Sequence, residues 1–93
     1  MKVTIRDQTW TLRFLPGNKM PWDFERKRKV EGWCDLDKRE ILIWDKLKGE
    51  DRLRVILHEL RHAEQPDLDE EIVDHISTDS ARILTRLGYT CES

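Results

Sequence analysis

The chain has 93 residues, of which 39% are charged, and a formal net charge of −2. That length makes one domain with a small core and a thin stability margin. The near balance of charge argues against a partner held by bulk electrostatics, nucleic acid in particular. No apolar stretch approaches the ~20 residues that span a bilayer. The N-terminal segment lacks the long apolar region of a secretory signal, so a cytoplasmic protein with reduced thiols is expected. Cys34 and Cys91 are too few for a disulfide framework and read as ordinary small residues.

Residues 3–14 read as a strand pair, because Val3 and Ile5, then Trp10, Leu12 and Phe14, alternate with polar residues, with Asp7-Gln8 as the turn. Pro16-Gly17-Asn18 ends this element. Residues 20–29 show no period and read as a surface loop, with a short helical turn as the alternative, in which Arg26-Lys27-Arg28-Lys29 is a solvated basic run. Residues 31–44 read as a second hairpin turning at Asp37-Lys38. Its second strand, Ile41-Leu42-Ile43-Trp44, is apolar enough to be covered on both faces. The four tryptophans, Trp10, Trp22, Trp33 and Trp44, read as core filling, with Trp44 placed to wall a cleft.

A helix is expected over residues 51–63, with Leu53, Ile56, Leu57 and Leu60 as its core stripe, broken at Gln65-Pro66. A capping box at Asp67-Leu68-Asp69-Glu70 then opens a second helix running to about Leu87. Its expected buried face is Ile72, Val73, Ile76, Ile83, Leu84 and Leu87, and Gly88 is its C′ residue. The short connection makes the two helices an antiparallel or crossed pair.

His58-Glu59-Leu60-Arg61-His62 carries the chemistry. On a helix, side chains four apart share a face, so the two imidazoles can grip one Zn²⁺ while Glu59 takes a proton from a water beside it. A catalytic zinc site takes three protein ligands and keeps one position open. The second helix must supply the third. If Ile72, Ile76 and Ile83 mark the buried direction, Glu71, His75 and Asp79 share a flank, which favours Glu71; Glu70, Asp74 and His75 remain alternatives. His75 also reads as a donor to a developing oxyanion. Asp79 reads as a partner for a ligand histidine or for Arg82.

These residues resemble those of the zincin metallopeptidases, in particular small gluzincins, which place a β-hairpin before an H-E-x-x-H helix and a glutamate ligand on the next helix. The pattern is closer still to small uncharacterised metallopeptidases of phages and bacteria. There an H-E-x-x-H-A segment precedes an acidic pair before Val, then D-x-A-R and L-G-Y. Here these positions read His58 to Ala63, Glu70-Glu71 with Val73, Asp79-Ser80-Ala81-Arg82 and Leu87-Gly88-Tyr89. The resemblance covers about two thirds of the chain and leaves residues 1–29 outside it. It implies zinc on His58 and His62, Glu59 as general base and acid, and Glu71 as third ligand. In large gluzincins the ligand glutamate is followed four residues later by Asp, a spacing that Glu70 and Asp74 carry here.

The expected fold is therefore α+β, a small antiparallel sheet of hairpins packed on two main helices with zinc between them. The expected activity is zinc-dependent hydrolysis of a peptide or protein substrate, which could pair with an exposed edge of the 31–44 hairpin. The alternative is a zinc-stabilised binding module without turnover, whose site would be closed by a fourth protein ligand.

Overall fold

The computed structural model describes residues 1–89 of the protein, so Cys91 lies outside the described residues. Six strands and two helices follow one another along the chain: β1 (Lys2–Ile5), β2 (Gln8–Leu15), β3 (Trp22–Asp23), β4 (Arg28–Lys29), β5 (Gly32–Asp35), β6 (Glu40–Trp44), α1 (Gly49–Glu64) and α2 (Glu70–Arg86). The fold is α+β.

The two expected hairpins form, but they meet through a parallel pair. The sheet order is β1-β2-β6-β5, with β2 parallel to β6, so the sheet is mixed rather than antiparallel throughout. The reason lies in β6. Ile41, Leu42 and Ile43 are all buried, and only a central strand covered on both faces accommodates such a run. β6 therefore takes the middle of the sheet, and its hairpin partner β5 is left at the edge. The first turn falls one residue earlier than expected. Arg6 and Asp7, not Asp7 and Gln8, are its central residues, both at positive φ as a twisted two-residue hairpin requires. Residues 20–29 are not a plain loop. β3 and β4 pair as a short ribbon whose turn is fixed by the Asp23 Oδ1 atom, which accepts from the backbone N–H groups of Glu25 and Arg26. Arg26, Lys27, Arg28 and Lys29 are exposed, as the basic run implied.

One sheet face carries Ile5, Trp10, Leu12, Ile41 and Ile43, which form the core together with Leu47, Val55 and Ala63. Trp10 fills that core, whereas Trp22 and Trp33 are exposed and Trp44 is half-buried. Helix α1 ends at Gln65, whose N–H reaches the Arg61 carbonyl before Pro66 stops the helix. Asp69 caps α2 by accepting from the Glu71 N–H. Gly88, at φ +96, closes α2 with bonds from Gly88 N to Thr85 O and from Tyr89 N to Leu84 O, as a C′ glycine does. Among the described residues no helix is long and apolar enough to cross a membrane.

Helix α2 packs on α1. Its buried line is Val73, Ser77 and Ala81, while Ile72, Ile83 and Leu87 are exposed. Val73 is buried as expected, but the line continues through Ser77 and Ala81 rather than through Ile83 and Leu87, so the face is rotated toward small residues that let the two helices approach. Ser77 is 1% exposed and its hydroxyl has no hydrogen-bond partner. Removing it deletes a buried unpaired polar group and raises helix propensity. Ser77→Ala is expected to stabilise the protein by about 1 kcal/mol, a rise of about 4–8 °C in a melting curve.

Candidate metal centre

The side chains of the centre follow from the phases of the two helices. On α1 the fully buried residues are Val55, Glu59 and Ala63, one every four positions. Leu53, Ile56, Leu57 and Leu60 are only partly buried. Strand β5 lies against α1 and turns Gly32 toward the Val55–Glu59 line. His58 and His62 fall beside that line, on the side facing the start of α2.

The structure brings His58, His62 and Glu70 together. The two Nε2 atoms are 3.0 Å apart; Glu70 Oε1 is 2.8 Å from His58 Nε2 and Oε2 is 2.9 Å from His62 Nε2. On the far side of the His58 ring, Asp74 Oδ1 is 3.0 Å from Nδ1. An Nδ1–H donating to Asp74 leaves the Nε2 lone pair turned toward His62 and Glu70. Two imidazole nitrogens and a carboxylate then share one point of space. Protons shared among these atoms, or a cation between them, would hold the group together, and a His₂–carboxylate set is one that could bind a metal such as zinc.

Glu71 does not join this group, which corrects the expected third ligand. Its side chain is 83% exposed and stands 3.9 Å from the Nε2 of His75, itself 75% exposed. Successive helical residues are turned by about 100°. With Val73, Ser77 and Ala81 facing α1, Glu70 and Asp74 border the contact, while Glu71 and His75 are swung out into solvent. His75 therefore reaches neither a ligand position nor the place of an oxyanion donor. Asp79 faces Arg82 at 3.6 Å, and the carboxylate partner of a histidine is Asp74 instead.

Glu59 is only 8% exposed, yet it borders the cleft. Burial, reinforced by the nearby charges of Glu70 and Asp74, pushes its carboxyl up to about 8. The cleft encloses about 420 Å³; the histidines, Glu59 and Glu70 line one side, and Trp33, Cys34 and Leu36 of the β5 end line another. Asp23 and Arg26 of the β3–β4 ribbon border it too. Trp33, rather than the expected Trp44, borders this cleft. Burial, then the charges of Glu59 and Asp35, holds the Cys34 thiol up at about 11, so it stays protonated at neutral pH and is no nucleophile.

Asp74 was open to the sequence only as an alternative ligand. The spacing that reveals it is a pair of i, i+4 couples, His58 with His62 and Glu70 with Asp74, which face one another across the helix crossing. Gly32 and Cys34 left no sequence signal, because strand-to-helix contacts set their place. Comparison with protein-family models, curated proteins and solved structures gave no match to this chain.

The electrostatics predict a pH response of the metal-free protein. A carboxyl raised in the folded state holds a proton that the unfolded chain has released. Its stabilising contribution is full below pH 4.5, the ordinary value, and is lost as pH rises toward about 8. Metal-free Glu59→Gln is therefore expected to melt above the parent at pH 8, by about 5 °C or more, and to show little advantage near pH 4.5. Parallel melting curves at the two pH values check this.

Proposed function

We propose that the protein is a zinc-dependent metallopeptidase with His58, His62 and Glu70 as its ligands. The observation that carries this reading is the convergence of those three side chains beside a sheltered carboxylate, Glu59, in an open cleft. Zinc held there by His58, His62 and Glu70 would supply Lewis acidity toward a water and a substrate carbonyl. Glu59 takes the proton from the attacking water on a carboxylate oxygen and hands it to the departing amine. In the metal-free protein burial holds the Glu59 carboxyl up at about 8, so it is mostly protonated at neutral pH; a dication bound beside it would favour the ionised form that this step needs. A hydrogen bond donated by His58 Nδ1–H to Asp74, 3.0 Å away, would hold the ring in the tautomer that offers Nε2 to the metal.

A peptide substrate is supported by the edge position of β5. Glu31 accepts from Trp44 N across the β5–β6 pair, so in the alternating ladder the backbone groups of Gly32 and Cys34 face the open edge. An extended chain can add there as a further strand, alongside the cleft that Glu59 borders.

Two measurements test the reading. In chelator competition, Glu70→Ala is expected to weaken zinc binding more than Asp74→Ala, whose loss should be about 10–100-fold, while Glu71→Ala binds like the parent. Loss in Glu71→Ala with retention in Glu70→Ala would place the ligand on the other flank. In assays on denatured protein or a peptide library, Glu59→Gln is expected to keep zinc and fold while cleavage slows by about 10²–10⁴-fold. Equal cleavage by parent and variant would remove Glu59 as the base. Tight zinc binding without cleavage by either chain would put the non-catalytic, zinc-stabilised module in place of the enzyme.

A further inference from the structure

Glu59 is the base of the proposed reaction, but no polar partner fixes where its carboxylate lies. Of the hydrogen bonds and ion pairs among the described residues, none belongs to its side chain. What confines it is shape. A Cβ added at Gly32 would stand 2.8 Å from Glu59 Oε2, 2.9 Å from Glu59 Cγ and 2.7 Å from Val55 Cγ1. Heavy atoms of this kind do not approach so closely; carbon pairs settle at about 3.5–4.0 Å. The space that a side chain at position 32 would fill is thus already taken by Glu59.

The backbone does not ask for glycine there. Only Gly49 and Gly88 among the glycines have positive φ, and Gly32 sits in regular β5, paired with Ile43. Alanine in an ordinary strand conformation normally stabilises a chain relative to glycine, by about 0.4–1 kcal/mol through the unfolded state. Position 32 is glycine for room, not for flexibility. Gly32 also borders both the main cleft and a neighbouring recess that holds Asp74 and Arg28, so the close approach occurs where substrate would pass over the base.

We propose that Gly32 is the positioning residue for Glu59: the bare Cα of β5 is the surface against which the carboxylate is set. This rests on the hydrolase reading for the identity of the reaction, but the packing claim stands on its own geometry.

The test is a double-variant cycle on the full chain. Metal-free parent, Gly32→Ala, Glu59→Ala and the double variant are melted. Gly32→Ala is expected to lower the melting temperature by about 4–8 °C, the size of a 1 kcal/mol loss, and the drop should be halved or better in the Glu59→Ala background. The zinc-loaded forms are then assayed on peptide substrates. Gly32→Ala should lower kcat by about 10-fold or more, with KM and zinc affinity by chelator competition unchanged, since a displaced base impairs the reacting step and not binding. Gly32→Ala/Val55→Ala, which removes the other close neighbour, should keep the low kcat; it also serves should Gly32→Ala alone not fold. An equal melting loss in both Glu59 backgrounds, or kcat equal to that of the parent, overturns the proposal while leaving the hydrolase reading intact. A parent with no turnover but a coupled melting cycle overturns the hydrolase reading, and with it the catalytic role of Gly32, though not the packing.

Discussion

The close crossing of α2 on α1 is the constraint on which the centre depends. Helix α2 has α1 as its main packing neighbour, and it buries Val73, Ser77 and Ala81 to do so. Small side chains at Ser77 and Ala81 let the helix axes approach, and the first turn of α2 is thereby swung over the His58–His62 face. Asp69 fixes where that turn begins by capping it. Glu70, the first residue of the helix, lands between two imidazoles, and Asp74, one turn on, lands behind His58. A rotation of α2 by one residue, about 100°, would exchange this pair for Glu71 and His75 and dissolve the group.

The same crossing concentrates negative charge in a small volume. Glu59, Glu70 and Asp74 lie close enough that the latter two raise the Glu59 carboxyl, on top of the effect of burial. In a chain of this size such an arrangement is a burden on folding, because burying an acid without a partner is unfavourable. A divalent cation at the convergence of His58, His62 and Glu70 would offset it, so metal binding and folding would be coupled in the same residues. With such coupling, stability measurements on metal-free protein would report on the site.

The mixed sheet does the rest of the positioning. Because β6 is apolar on both faces, it pairs with β2 on one side and β5 on the other, and β5 is left with an open edge beside α1. One edge strand thus borders the cleft, offers backbone groups outward, and supplies at Gly32 the gap that Glu59 occupies. The β3–β4 ribbon, which the sequence had shown only as an aperiodic stretch with a basic run, contributes Asp23 and Arg26 to the cleft border.

The sequence by itself determined the α+β composition, both main hairpins, the span of the two helices, the Gly88 stop and the placing of His58, Glu59 and His62 on one helical surface. Each of these follows from local chemistry: alternation along strands, the 3.6-residue period, and the turn and cap residues. What only the tertiary structure decided was direction. Apolarity pointed to Ile72, Ile76 and Ile83 as the buried face of α2, because large apolar side chains dominate any reading of periodicity. Packing kept Val73, which periodicity had also placed on the buried face, and completed the line with Ser77 and Ala81, because two helices approach most closely where side chains are small, and Ile72 and Ile83 stayed exposed. That change of direction put Glu70, not Glu71, beside the two histidines. The parallel β2–β6 pairing and the pressing of Gly32 against Glu59 were equally beyond local reading, since they join residues far apart in the chain, and long-range pairing leaves no periodic trace in the sequence around either partner.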